Sequence, residues 1–156
     1  MGVDGSASAV RDAMTAGGKI DSNYKPLDHG YKELTIPPTE DGEFQLEPNA
    51  LHIWPRGQFM LIALPNMDRS FTCTLFFPME GYTSFATVNS ENEITQFFED
   101  YFPDSIPLLS NLVHEFHTNP TGHLGSVYCD PWHVGNSAVL LGDAAHAVVP
   151  FFGQGM

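Results

Sequence analysis

The sequence predicts an α+β fold in which an antiparallel sheet carries helices on one face. Three strand-like runs lie between residues 51 and 77, and a Pro-Asn-Met-Asp segment at 65–68 separates the last two. A turn of this composition between two apolar runs indicates a hairpin, and hence antiparallel pairing. A helix is predicted over 91–101, because Ser90 can cap it and its apolar residues recur at helical spacing.

The remaining elements follow from the same two periodicities, with Gly and Pro as boundaries. In chain order we predict a short helix at 6–15 that ends at Gly17-Gly18, a polar loop at 19–31, a strand at 31–36, an acidic loop at 39–48, strands at 51–54, 59–64 and 70–77, the helix at 91–101, a shorter helix at 107–114, and strands at 124–130 and 137–141.

A Gly-Asp segment near the end of the sequence is the first candidate ligand site. Asp143 follows the apolar run 137–141, so its carboxylate is predicted at the carboxyl end of a strand, where α/β folds bind ligands. Gly153 and Gly155 would let the backbone approach a flat ring or a polyol chain closely. The alternative is an Asp that caps a turn, with the glycines serving the same turn.

An Asp-Gly segment near the start of the sequence is the second candidate ligand site. Asp4-Gly5 is followed by Ser8 and Arg11, a pattern typical of a strand end that turns into a helix. Free N–H groups at a helix start attract anionic oxygens, and an arginine adds a bidentate donor. The alternative is an ordinary helix cap with a surface arginine.

The two motifs, in this order, resemble those of the aromatic-ring flavoprotein hydroxylases of the p-hydroxybenzoate hydroxylase type. Within that family, segments 51–78 and 149–156 resemble the members that hydroxylate L-kynurenine. The positions that match the family's two motifs are Asp4, Gly5, Ser8, Arg11, Gly142, Asp143, His146, Pro150, Gly153 and Gly155.

The resemblance implies an FAD enzyme that uses NADPH and O2 and transfers one oxygen, through a flavin hydroperoxide, to L-kynurenine. It implies an antiparallel-sheet substrate domain at 21–130, flanked by partial FAD-binding α/β pieces at 1–20 and 131–156. The implied catalytic residues are Pro150 and Phe151. The implied cofactor-binding residues are Asp4, Gly5, Arg11, Gly142, Asp143, Gly153, Gly155 and Met156, and the implied substrate-binding residues are Leu51, Met60, Ile62, Leu64, Phe76, Pro150, Phe151 and Gln154.

No Gly-x-Gly-x-x-Gly pattern occurs in the sequence, so we expect a middle piece of such a hydroxylase that is inactive alone. Two alternatives stay open. One is a non-catalytic binding module that self-associates through exposed sheet edges. The other is a related hydroxylase with a different aromatic substrate.

The composition and net charge limit the classes of partner that the chain is expected to bind. The 156 residues include 19 acidic and 6 basic side chains, for a formal net charge of −13. This negative charge argues against nucleic acid and against an anionic membrane surface as binding partners. Cys73 and Cys129 lack metal-ligand spacing, no metal site is expected, and no apolar run is long enough to span a bilayer. We expect a soluble chain, and the resemblance implies a parent on the mitochondrial outer membrane in eukaryotes and in the cytoplasm otherwise.

Overall fold

An antiparallel sheet organises the fold in the computed structural model, which describes residues 1–149. The predicted hairpin is present, and each of its strands pairs with a further neighbour on its outer side. The strand order is β2-β3-β4-β1-β5. The strands are β1 (Asp21–Ile36), β2 (His52–Arg56), β3 (Phe59–Pro65), β4 (Phe71–Pro78) and β5 (Thr121–Asp130).

Helices form where the sequence supplies caps and an apolar face. Ser90 begins the longest one with a capping box, in which Ser90 and Glu93 satisfy each other's backbone N–H groups. The remaining elements are α1 (Ala9–Ala16), α2 (Glu91–Tyr101), a 3₁₀ turn (Ile106–Leu108), α3 (Leu112–Thr118), the short strands β6 (His133–Val134) and β7 (Ala138–Val139), and α4 (Asp143–His146).

The chain divides into two units, each of which is described here by itself. Unit 1 comprises residues 1–27 and the described residues from 124 onward, and unit 2 comprises residues 28–123. The strands β1 and β5 contribute residues to both units. The predicted domain boundary at 20/21 coincides with the start of β1, and the one at 130/131 coincides with the end of β5.

The core of unit 2 lies between the sheet and its helices, as the α+β prediction requires. Leu61 and Ala63 of β3 and Cys73 and Leu75 of β4 are buried in one cluster with Phe97 and other apolar residues of α2 and α3. These strand residues alternate with side chains on the other face. The prediction of helices on one face of the sheet is therefore confirmed.

The predicted loop at 19–31 is wrong, since β1 begins at Asp21 and continues without interruption to Ile36. The first half of β1 is mostly exposed, so its polar side chains carry no alternating apolar signal. Only its pairing with neighbouring strands holds it extended. This information is absent from the local sequence.

The helix predicted at 107–114 begins later than expected. Pro107 belongs to a 3₁₀ turn that ends at Leu108, and α3 runs from Leu112 to Thr118. The later start buries both Leu112 and Phe116 in the core of unit 2. Packing of these two side chains therefore decides where the helix begins, which helix propensity alone leaves ambiguous.

Within residues 1–149 no helix is long and apolar enough to cross a membrane.

A glycine on β5 lets an aromatic ring of β1 lie against the sheet in unit 2. A Cβ added at Gly122 would overlap the ring of Tyr31. The ring thus occupies the space that a side chain at position 122 would need. Such an aromatic residue over a strand glycine covers backbone that the glycine leaves bare.

We predict that Gly122→Ala lowers the free energy of unfolding by about 1–3 kcal/mol, because the added methyl group displaces Tyr31. In a Tyr31→Ala background the same substitution should have little effect, since the overlapping ring is gone. Urea denaturation of the four proteins in this cycle measures the coupling. An equal effect of Gly122→Ala in both backgrounds would contradict the packing described.

Candidate functional site

Backbone hydrogen bonds bring the Asp-Gly and Gly-Asp segments together in unit 1. Gly2 N donates to Val139 O at 2.8 Å, and Leu141 N donates to Gly2 O at 3.0 Å. Gly2 and Leu140 thereby form a parallel bridge. A Cβ at Gly2 would lie 2.8 Å from a Leu140 methyl group and 2.9 Å from Val10. The close approach of the two segments therefore depends on glycine at this position.

Asp4 is occupied in holding the start of α1. Its carboxylate accepts hydrogen bonds from Ser8 Oγ at 2.6 Å and from Val10 N at 3.3 Å. The hydrogen bond from Ser8, aided by backbone N–H groups, lowers the pKa of Asp4 below its usual value. Ser8 in turn accepts from Arg11 N at 2.9 Å and caps the helix. The Asp4 carboxylate, which is predicted to orient a cofactor, thus stabilises the start of α1 through its own hydrogen bonds.

Arg11 joins α1 to α4. Its side chain is buried, with the residue 8% exposed, and its guanidinium donates to Ala144 O at 3.3 Å. A second, weaker contact is an ion pair with the exposed Asp12 at 3.6 Å. In the residues described, the guanidinium therefore links the two motifs. Its predicted contact with a cofactor stays a prediction.

Gly142 and Asp143 present an open edge. Gly142 has φ +59°, a left-handed conformation that favours glycine, and the space around a Cβ there is empty. Asp143 begins α4, is exposed, and its carboxylate has no hydrogen-bond or ion-pair partner among residues 1–149. Of the two motif carboxylates, Asp143 is therefore the one available to a ligand. Gly5 also has a positive φ, +83°, with open space at its Cα.

Several predicted site residues lie outside the described residues. They are Pro150, Phe151, Gly153, Gln154, Gly155 and Met156. Their catalytic, cofactor-binding and substrate-binding roles stay predictions.

The predicted substrate residues of β3 and β4 share one face of the sheet in unit 2. Met60 pairs directly with Phe76, and Ile62 and Leu64 follow Met60 at two-residue intervals on β3. This face is opposite the helix-covered core. Leu51 lies immediately before β2 and is exposed. We call the face formed by Ile53, Met60, Ile62, Leu64 and Phe76 the apolar wall.

Ile53 is a wall residue that the sequence reading missed. It pairs with Ile62 across β2 and β3 and is 47% exposed. The two-residue spacing of Leu51 and Ile53 is the signal that could have found it. Leu64 is exposed to a similar extent, 48%, whereas Ile62 and Phe76 are buried. Apolar side chains that remain exposed together on one sheet face are typical of a binding surface.

The cysteines and histidines add no metal site. Cys73 is fully buried, and burial raises the pKa of its thiol to about 12, so it stays a neutral core residue. In the part of the chain from 1 to 149, no group of three or more His, Cys, Asp or Glu side chains is arranged to hold a metal ion.

Comparison with known proteins identifies relatives over the whole chain. A kynurenine 3-monooxygenase of Dictyostelium discoideum is 51% identical over 156 residues, which are 100% of this chain and 34% of the relative. One from Myxococcus xanthus is 54% identical over 155 residues, 99% of this chain and 33% of the relative. The chain thus spans about a third of the length of the curated relatives it matches. No protein-family model matches.

Solved structures share the fold at low identity. A variant of 2-methyl-3-hydroxypyridine-5-carboxylic acid oxygenase superposes with a TM-score of 0.71 at 23% identity, over 99% of this chain and 40% of that one. A variant of Klebsiella pneumoniae HpxO complexed with FAD gives a TM-score of 0.65 at 17% identity, over 97% of this chain and 38% of that one.

The chain thus has the fold of a segment of 2-methyl-3-hydroxypyridine-5-carboxylic acid oxygenase and of HpxO. By sequence it is homologous along its entire length to about a third of proteins named kynurenine 3-monooxygenase.

We predict that Arg11→Gln lowers the free energy of unfolding by about 1–3 kcal/mol without any ligand present, because Ala144 O loses its buried donor. Lys19→Gln, which removes an exposed charge in the same unit, should change it by less than about 0.5 kcal/mol. Chemical denaturation measures both. Equal effects of the two substitutions would show that Arg11 does not link the helices.

Proposed function

We propose that this chain forms part of the cofactor and substrate sites of an FAD-dependent, NADPH-using monooxygenase that hydroxylates L-kynurenine to 3-hydroxykynurenine. The observation that carries the proposal is identity of about half over the entire chain to proteins named kynurenine 3-monooxygenase. The local structure adds support, because the two segments that resemble flavoprotein motifs are hydrogen-bonded to each other.

FAD fits the open edge at Gly142 and Asp143. The unpartnered Asp143 carboxylate can accept hydrogen bonds from hydroxyl groups, which the ribityl chain of FAD supplies. The empty space at Gly142 allows a ligand to approach the backbone closely. Asp4, Ser8 and Arg11 would act behind this edge by fixing α1 against α4. The similarity in fold to HpxO, which was solved with FAD, agrees with this assignment.

Charge is distributed so that an anionic cofactor is tolerated. Most of the excess of acidic over basic side chains lies in unit 2, whereas unit 1 is closer to neutral. Repulsion from distant carboxylates is also screened over about 10 Å at ordinary ionic strength. The net charge of −13 therefore does not oppose FAD at unit 1.

The apolar wall would receive the aromatic ring of the substrate. Met60, Ile62 and Phe76 are neighbouring apolar side chains on this face, and Leu64 extends it toward solvent. Contact with such a surface removes water from the ring that is to be hydroxylated. FAD held at this site would supply the redox chemistry that activates O2, with NADPH as the electron donor. The wall contributes orientation and the exclusion of water.

Residues 150–156 complete the proposal. By resemblance, Pro150, Phe151 and Gln154 would lie between substrate and flavin, and Gly153, Gly155 and Met156 would contact the flavin. Attachment of a eukaryotic parent to the mitochondrial outer membrane is likewise supported only by the resemblance.

Self-association would use the β5 edge more readily than the β2 edge, because Pro55 removes a backbone hydrogen-bond donor from β2.

We predict that Asp143→Asn weakens FAD binding to the purified chain by about tenfold, or about 1.4 kcal/mol, because a charged acceptor becomes neutral. Quenching of flavin fluorescence on titration with protein measures the affinity. The substitution should leave the free energy of unfolding unchanged, since the carboxylate has no internal partner among the described residues.

Asp41→Asn is the matched control, because it removes the same charge from an exposed loop of unit 2. FAD affinity should be unaffected by this control. A chain that binds no FAD, or that loses equal affinity in both variants, would contradict the cofactor assignment.

We predict that Leu64→Ser weakens binding of L-kynurenine to the FAD-loaded chain by about tenfold, because an apolar contact of the wall becomes polar. Isothermal titration calorimetry measures this affinity. Leu64 is 48% exposed, so the substitution should be compatible with folding.

Met67→Ser provides the comparison, since Met67 is a fully exposed apolar residue in the β3–β4 turn, off the wall. Its affinity for L-kynurenine should equal that of the unmodified chain. If Leu64→Ser also leaves the affinity unchanged, the wall does not contact the substrate.

A further inference from the structure

Unit 1 contains an open pocket, with a volume of about 450 Å³, that the proposed function does not use. Its floor is formed by Val127 and Cys129 of β5, and its walls come from the start of β1, from Trp132 and from His146 at the end of α4. The volume is in the range of pockets that hold small organic molecules. We call it the Trp132 pocket.

The aromatic wall of the Trp132 pocket is fixed in place. Trp132 Nε1 donates to Cys129 O at 2.8 Å, and the indole stacks on the His146 ring with centroids 4.8 Å apart. Cys129 Sγ is held as well, because it donates to Ala145 O at 2.9 Å. The indole nevertheless remains 46% exposed. A ligand that covers it would need little side-chain rearrangement.

The Asp and Glu side chains that line the pocket are two aspartates. Asp21 and Asp130 both line it, and neither carboxylate forms a hydrogen bond or ion pair with any residue from 1 to 149. Among the described residues, no Lys or Arg side chain lines the cavity. Two unpaired carboxylates attract a cation by charge, and the exposed indole beside them offers a face on which an aromatic ring can stack. The same arrangement repels phosphates and carboxylates.

We propose that the Trp132 pocket binds a small organic monocation with an aromatic body, such as an arylalkylammonium. The ammonium group lies between Asp21 and Asp130, and the aromatic body covers the Trp132 indole. This site is separate from the Asp143 edge, although His146 and Asp143 stand at the two ends of α4.

The two tryptophans allow a direct test with the whole chain. Trp132 is in unit 1 and Trp54 is in unit 2, so the two indole N–H signals of a ¹⁵N-labelled sample report on the units separately. Titration with 2-phenylethylammonium should shift the Trp132 signal in a saturable way and leave the Trp54 signal in place. The neutral analogue 2-phenylethanol should bind at least about fivefold more weakly, because it lacks the charge.

Asp21→Asn should weaken binding of 2-phenylethylammonium by about fivefold, the ratio expected for one charge pair at about 4 Å in water. Asp41→Asn, in unit 2, is the matched control and should leave the affinity unchanged. An unchanged circular-dichroism spectrum and an unchanged thermal midpoint verify folding in each variant. No saturable shift at Trp132, equal shifts at both tryptophans, equal binding of 2-phenylethanol, or an unchanged affinity of Asp21→Asn would each overturn the proposal.

Discussion

The contact between Gly2 and the Val139–Leu141 segment is the constraint on which the open edge at Gly142 and Asp143 depends. Two backbone hydrogen bonds join segments that are remote in sequence, and a side chain at position 2 would crowd Leu140 and Val10 in this arrangement. Arg11 then adds a buried side-chain bond to Ala144. Together these interactions hold the start of α1 against α4, the helix that begins at Asp143. Any ligand that needs both motifs requires this contact first.

The two motif carboxylates illustrate how one residue type serves two purposes. Asp4 accepts from Ser8 and a backbone N–H, and these bonds stabilise its ionised form. Asp143 is exposed and has no partner among the described residues. An internally bonded carboxylate shapes the loop, whereas an unpartnered one can exchange its water for a ligand hydroxyl. Both residues occur beside a glycine in similar dipeptides. The difference between them therefore comes from the local geometry and not from the residue type.

In unit 2 the same sheet supplies both stability and a surface. One face packs against α2 and α3 in a core rich in phenylalanine, and the other face presents the apolar wall. Alternation along β3 assigns Leu61 and Ala63 to the first face and Met60, Ile62 and Leu64 to the second. Apolar residues on both faces leave β3 without the polar alternation of a half-exposed strand. This composition is consistent with a wall that another group covers when the site is complete.

The sequence by itself determined the α+β class, the β3–β4 hairpin, the capped helix α2 and the two motif segments. Each of these rests on local chemistry: turn residues, a capping box, or glycine beside aspartate. Only the tertiary structure decided that residues 21–31 form a strand, that α3 begins at Leu112, that Arg11 points at Ala144, and that Ile53 joins the wall. These features depend on pairing and packing partners that are distant in the chain, and local periodicity carries no record of such partners.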